Sequence, residues 1–149
     1  MKVTTIVLND IEITLRLTAS SLADYAEAIG TSGNTLFAVL DALDDLRKQG
    51  KLFTAALTYK GHTNTVTDGF DLIDMLAEAG YDPIEKKELI VQLSEKSGVI
   101  GKVDAARVLA AIKSGNDKLY DTAVAILSGN MDNLTSPQQE GEETDENPT

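Results

Sequence analysis

Residues 3–17 have the sequence VTTIVLNDIEITLRL, in which two runs of mostly β-branched and aliphatic residues flank Asn9 and Asp10. Asn and Asp tolerate a positive φ better than other non-glycine residues, so this pair predicts a two-residue turn between two strands. A turn of two residues also fixes the strand pairing and places Leu8 opposite Ile11. The stretch therefore predicts an antiparallel β-hairpin.

The two faces of this hairpin, over residues 2–17, are expected to differ in polarity because side chains alternate between the faces of a strand. The residues on the apolar face are Ile6, Leu8, Ile11, Ile13, Leu15 and Leu17. Two strands alone are marginally stable in water, so helices must cover that face. On the other face, Val3, Thr5 and Val7 lie along an open strand edge, and we predict that they mediate self-association. The alternative is that this second face packs inward.

After the hairpin, apolar residues recur at the spacing of three and four positions that is typical of amphipathic helices. About seven short helices are expected, covering residues 22–29, 36–46, 52–59, 70–77, 83–97, 103–114 and 117–128. The predicted N-caps include Ser21, Asn34, Thr67 and Asp82. The predicted helix ends are Gly30, Gly50, Gly61, Gly80, Gly98, Gly115 and Gly129. Asp82 is followed by Pro83 and by Glu85, which makes it the strongest helix start in the chain.

These elements predict a mainly α, helix-dominated α+β fold in a single domain over residues 1–129, with the helical body over 20–129. The last segment, residues 130–149, has a different composition, with six acidic residues and no Lys or Arg. Because it has little apolar surface to offset its ordering entropy, we expect a disordered acidic tail. The tail is either a partner-binding peptide or a solvating terminus, and its composition favours the second interpretation.

The overall composition excludes several classes of site and partner. The 149 residues contain no Cys and one His, so disulfides, thiolate chemistry and multi-histidine metal sites are excluded. The formal net charge of −11 disfavours binding to nucleic acid. The first apolar run breaks at Asn9 and Asp10, and no stretch approaches the roughly 18 apolar residues of a membrane helix. We expect a cytoplasmic protein without membrane association.

No residue pattern indicates catalysis. Asp41 and Asp45 share a helix face but lack further ligands, so a solvated acidic face is the favoured interpretation. His62 lies in a polar loop over residues 61–67, without a nucleophile in a recognisable setting. Gly98 and Gly101 do not have the spacing of a phosphate-binding loop. The sequence therefore predicts that the protein is not an enzyme and has neither a metal nor a cofactor.

Six segments within residues 1–100 carry a family resemblance in their order and apolar pattern. They are EITLRLT at 12–18, a short helix at 22–30, an apolar helix at 36–46, LFTAAL at 52–57 with the loop at 62–63, residues 66–80 with DLID at 71–74, and residues 90–98 ending in LSEKSG. Together with the preceding strand, this order resembles the tail assembly chaperones of long-tailed (siphovirus-type) phages and of related prophages of Gram-positive bacteria.

The resemblance implies a protein that coats the tape-measure protein, keeps it soluble and recruits tail-tube subunits during tail assembly. It further implies action in the host bacterial cytoplasm, absence from the mature virion, and a partner that is a frameshift-extended form of the same chain. Two other interpretations remain open. The first is a small phage-encoded adaptor or inhibitor that binds a host protein, and the second is a minor structural component of the tail.

Overall fold

The computed structural model describes residues 2–31, 35–115 and 118–128 of the chain. Within these residues, two strands precede seven α-helices, which confirms the helix-dominated fold with an N-terminal hairpin. The elements are β1 (Thr4–Leu8), β2 (Ile11–Leu15), α1 (Ala19–Ile29), α2 (Thr35–Asp41), α3 (Leu46–Leu57), α4 (Gly69–Glu78), α5 (Pro83–Lys96), α6 (Lys102–Lys113) and α7 (Leu119–Leu127). The predicted acidic tail, the Asn34 cap, the helix start at Asp117 and the helix end at Gly129 lie outside the described residues.

The hairpin has the register that the turn predicts, with Leu8 opposite Ile11 and Thr5 opposite Thr14. Asn9 and Asp10 have φ angles of 51° and 65°, as a tight two-residue turn of the I′ type requires. The local turn chemistry therefore determines which residues share each face of the hairpin.

The apolar face of the hairpin is part of the main core. Leu8, Ile13, Leu15 and Leu17 are each at most 3% exposed. β2 packs against α3, and β1 packs against α5, so helices from the middle of the chain cover the two strands. This burial supplies the stability that an isolated hairpin lacks.

Two helices begin at a different cap from the predicted one. Thr18, not Ser21, caps α1, because Thr18 has an extended backbone and its Oγ1 accepts a hydrogen bond of 3.0 Å from the Ser21 N–H. Asp68, not Thr67, caps α4 by accepting from the Phe70 N–H at 2.8 Å. In both cases the N-cap lies within three residues of the predicted one, and it combines an extended backbone with a side-chain oxygen that accepts from the first turn.

The prediction of one helix over residues 36–46 ending at Gly50 is wrong. α2 ends at Asp41, a 3-10 turn follows over Ala42–Asp44, and Asp45 starts a new helix, α3. Asp45 has an extended backbone, and its carboxylate accepts hydrogen bonds from the N–H groups of Arg47 and Lys48. This cap begins α3 before Gly50, which therefore lies inside a helix.

Gly50 is explained by the close crossing of α3 and α4. The Thr54 hydroxyl donates to the Gly50 carbonyl at 2.9 Å and accepts from the Gly69 N–H at 2.8 Å. A Cβ at Gly69 would lie 1.9 Å from the Gly50 carbonyl oxygen, so the two backbones meet without room for a side chain. Gly50 is a packing residue and not a helix end.

The second half of the chain follows the predicted caps more closely. Asp82 and Glu85 form a reciprocal capping box at the start of α5, with Pro83 in the first turn. Gly98 and Gly115 follow α5 and α6 with φ angles of 82° and 81°. Within the described residues, no helix is long and apolar enough to cross a membrane.

We expect Thr4→Val to stabilise the protein by about 1 kcal/mol. Thr4 Oγ1 is the one buried side-chain polar atom without a hydrogen-bond partner among the described residues. A methyl group of similar size removes that unsatisfied hydroxyl from the core. Urea unfolding should show a higher midpoint for Thr4→Val, whereas Thr5→Val on the exposed face serves as the control with a smaller change. A lower midpoint for Thr4→Val would contradict the prediction.

Candidate interaction surface

The two-residue turn determines which backbone N–H and C=O groups point toward the partner strand and which point away from it. Leu8 and Ile11 flank a two-residue turn and form a hydrogen-bonded pair, and such pairs alternate along an antiparallel ladder. Thr5 opposite Thr14 is consequently a non-hydrogen-bonded pair. The N–H and C=O groups of Thr5 point away from β2, and those of Thr14 point away from β1.

The outer edge of β2 is closed by the side chain of Asn64. The Thr14 N–H donates to Asn64 Oδ1 at 3.0 Å, and Asn64 Nδ2 donates to the carbonyl oxygens of Thr14 at 2.9 Å and Leu57 at 2.8 Å. Through these bonds the side-chain amide of Asn64 pairs with Thr14 as the backbone of a third strand would. Asn64 is 5% exposed. The loop over residues 61–67 thus has a structural function that its turn-like composition does not reveal.

Two further contacts connect the end of the hairpin to the helices. The Arg16 N–H donates to the Ala56 carbonyl at 3.1 Å, and the Leu17 N–H donates to Ser97 Oγ at 2.9 Å. His62 Nε2 lies 3.3 Å from Asn64 Oδ1, and its ring stacks on that of Tyr59 with centroids 5.1 Å apart. The structure therefore places His62 beside the residue that closes the β2 edge.

The outer edge of β1 is open. Among the described residues, the backbone groups of Val3, Thr5 and Val7 that face away from β2 have no hydrogen-bond partner. The Val7 side chain is 65% exposed, Thr5 is exposed and Val3 is half-buried. At Thr5 and Val7, the second face of the hairpin is therefore not packed inward. We name this edge, formed by residues 3–7, the β1 edge.

A second surface lies between the first turns of α3 and α5. It is a shallow groove of about 390 Å³. Its lining residues are Leu43, Asp44, Asp45, Leu46, Gln49, Pro83, Lys86 and Lys87. Leu46 is 63% exposed there, and Ile84, next to Pro83, is 42% exposed. We name this surface the α3–α5 groove.

Asp41 and Asp45 do not share a helix face, because Asp41 ends α2 and Asp45 caps α3. The acidic residues near these helices are half-buried or exposed and have structural partners. The Asp41 carboxylate forms an ion pair with Lys48, and this hydrogen bond raises the pKa of the Lys48 amine. The Asp44 carboxylate accepts from the Tyr120 N–H at 2.8 Å. Burial, followed by the charges of Asp41 and Asp45, raises the pKa of Tyr25, whose hydroxyl donates to the Ala38 carbonyl.

The described residues contain no group of three or more His, Asp or Glu side chains that could hold a metal ion. Their accessible features include the β1 edge, the α3–α5 groove, two smaller pockets of about 310 Å³ and 210 Å³, and a few isolated apolar side chains. Comparison of the chain with protein-family models, curated proteins and solved structures finds no match.

Proposed function

We propose that this chain is a tail assembly chaperone that binds and solubilises the tape-measure protein of a long-tailed phage or prophage. In this proposal it also helps to recruit tail-tube protein in the host bacterial cytoplasm, pairs with a frameshift-extended form of itself and does not remain in the virion. The resemblance over residues 1–100 suggests the family. The supporting structural observation is that an acidic protein exposes several large apolar side chains. They are Val7, Leu46, Phe70, Ile84 and Val103.

The α3–α5 groove is the surface best suited to a helical partner. An amphipathic helix binds by laying apolar side chains spaced by three or four residues into a shallow apolar groove. Leu46 in the groove lining offers an exposed apolar contact, and Ile84, which adjoins the lining residue Pro83, offers a second. Asp44 and Lys86 offer charges of both signs at the groove. A tape-measure protein is expected to be a long helical rod with apolar surface before assembly, so it presents the kind of segment that fits.

The charge of the chain suits a protein that coats a partner in many copies. A formal net charge of −11 on 149 residues favours repulsion between chains and opposes their precipitation. Contacts through a few exposed apolar side chains are also weak enough individually to be released when the tail tube replaces the chaperone. These properties support reversible coating of an apolar rod.

The decisive experiment is co-expression of the chain with the tape-measure protein encoded nearest to it. We expect the tape-measure protein to become soluble and to co-purify with several copies of the chain. The double variant Leu46→Gln and Ile84→Gln should weaken this association at least about tenfold, because burial of each side chain contributes about 1.5–3 kcal/mol. The matched control is Val103→Gln on α6, which changes an equally exposed apolar residue outside the groove.

Other outcomes of the same work would overturn the proposal. As a control, the tape-measure protein is expressed alone, and it must be insoluble there if its solubility is to be attributed to the chain. If it also stays insoluble with the chain, with its extended form and with tail-tube protein, then the chaperone function is wrong. A stable complex with a host protein instead would indicate the adaptor or inhibitor, and presence in purified virions would indicate a structural tail component.

A further inference from the structure

We propose that two copies of this chain pair through their β1 edges, antiparallel about a twofold axis at Thr5. The pairing would join the two hairpins into one four-stranded sheet. It depends on the backbone and side chains of the β1 edge, and is independent of any tape-measure protein.

The backbone of the β1 edge is complementary to itself. The outward-facing residues are Val3, Thr5 and Val7, whose backbone groups have no partner among the described residues. With Thr5 opposite Thr5 of a second copy, Val3 falls opposite Val7, and all three pairs are hydrogen-bonded pairs. Each such pair exchanges two hydrogen bonds, so this register forms about six. A shift by two residues would place one of the three opposite a residue outside the edge.

The side chains of the β1 edge permit this register equally well. On the exposed face, Val7 would contact Val3 of the second copy, and Thr5 would contact Thr5. β-branched pairs of this kind stabilise neighbouring strands. Residues 3–8 include no charged residue, so two acidic chains meet here without like charges in contact. The sequence Val-x-Thr-x-Val has the same outward order in both directions, which favours a second copy over an unrelated strand.

The other edge of the hairpin explains why the pairing would stop at two copies. The Asn64 side chain hydrogen-bonds to the N–H and C=O groups of Thr14 on β2, and the Ala56 carbonyl accepts a hydrogen bond from the Arg16 N–H. The four-stranded sheet would therefore end at a closed β2 edge on each side. Proteins commonly protect exposed edges with charges, proline or covering loops, and among the described residues only the β2 edge is covered in this way.

The first test measures the mass of the isolated chain by sedimentation across a wide concentration range. The interface is small, so we expect a weak dimer that appears between about 10 µM and 1 mM, at twice the 15.9 kDa monomer mass. Thr5→Pro should remain monomeric throughout, because it removes an N–H that the paired β1 edges would use. The hairpin itself should still form, because its own ladder does not use that N–H. Thr5→Val keeps that N–H and should still dimerise. A folded wild-type chain that stays monomeric at every concentration would overturn the proposal.

The second test uses cysteine crosslinking and does not depend on the folding of Thr5→Pro. The chain has no native Cys, so each variant carries a single thiol. Thr5→Cys should form a disulfide with its own copy under mild oxidation, because paired residues in this position lie about 5.5 Å apart between Cα atoms. Glu12→Cys, exposed on β2 of the same hairpin, is the matched control and should crosslink much less.

The register is tested by mixing Val3→Cys with Val7→Cys. These two variants should crosslink to each other more efficiently than either crosslinks to itself. Equal crosslinking of all positions, including Glu12→Cys, would show random collision and would overturn the proposal. All of these measurements use the chain alone, so their result does not depend on whether it binds a tape-measure protein.

Discussion

Gly69→Ala is expected to reduce the free energy of unfolding by about 3 kcal/mol, the upper range for overpacking a close contact. The added Cβ would lie 1.9 Å from the Gly50 carbonyl oxygen and 2.5 Å from the Thr54 nitrogen. Both are backbone atoms of α3, so relief requires α3 and α4 to move apart. That movement would also break the hydrogen bond from the Gly69 N–H of α4 to the Thr54 hydroxyl of α3. Urea unfolding followed by circular dichroism measures the loss.

Gly50→Ala is the matched control for this prediction. The Cβ there would lie 2.3 Å from Cε1 of Phe70, which is a side-chain atom of a residue that is 42% exposed. The ring can turn toward solvent, and Ala inside a helix is favoured over Gly by about 1 kcal/mol. We therefore expect a smaller loss for Gly50→Ala than for Gly69→Ala. The reverse order would contradict the assignment of Gly69 as the tighter contact.

Asn64→Leu is expected to destabilise the protein by about 3 kcal/mol. The substitution leaves the Thr14 N–H and the carbonyl groups of Thr14 and Leu57 without the partner that they have in the wild type. Each unsatisfied buried group costs about 1–3 kcal/mol, partly recovered where water can enter. Thermal and urea unfolding should both show the loss.

Asn64→Asp separates hydrogen bonding from side-chain size. A carboxylate at this position still accepts a hydrogen bond from the Thr14 N–H. Its second oxygen, however, faces the carbonyl oxygens of Thr14 and Leu57, to which the Asn64 amide nitrogen donates in the wild type. Burial and these neighbours raise the pKa of the carboxyl group in the folded state. The loss of stability of Asn64→Asp relative to the wild type should therefore be smaller near pH 4 than at pH 7 and should grow as the pH rises. A pH-independent loss equal to that of Asn64→Leu would contradict the role of the amide.

The hairpin and the start of α5 could be predicted from sequence because their determinants are local. Asn9 and Asp10 set the turn by their own φ preference, and Asp82 with Glu85 completes a cap within one helical turn. The break between α2 and α3 is not predictable in this way, because Gly50 has the sequence position of a helix end. Its actual role depends on the contact with α4, which no local pattern in the sequence reveals.

The two edges of the hairpin also differ in how well the sequence predicts them. The alternation of a two-residue hairpin predicts that Val3, Thr5 and Val7 share one face, on which Thr5 and Val7 are exposed and Val3 is half-buried. Asn64 could not be assigned to the β2 edge, because its partner Thr14 is 50 residues away and the loop between has only turn-like composition. Self-association through the β1 edge remains a prediction that the mass and crosslinking measurements test.

The distance in sequence between β2 and its partners has a consequence for synthesis on the ribosome. The hairpin needs only residues 4–15, and hairpins of this kind form within about 1–10 µs, whereas translation adds about 5–20 residues per second. Asn64 and Ser97, which lie 50 and 80 residues after their partners, emerge seconds later. Whenever the two strands pair during that interval, the nascent hairpin exposes both edges, and chains on neighbouring ribosomes of one messenger RNA can meet before either has its β2 edge closed.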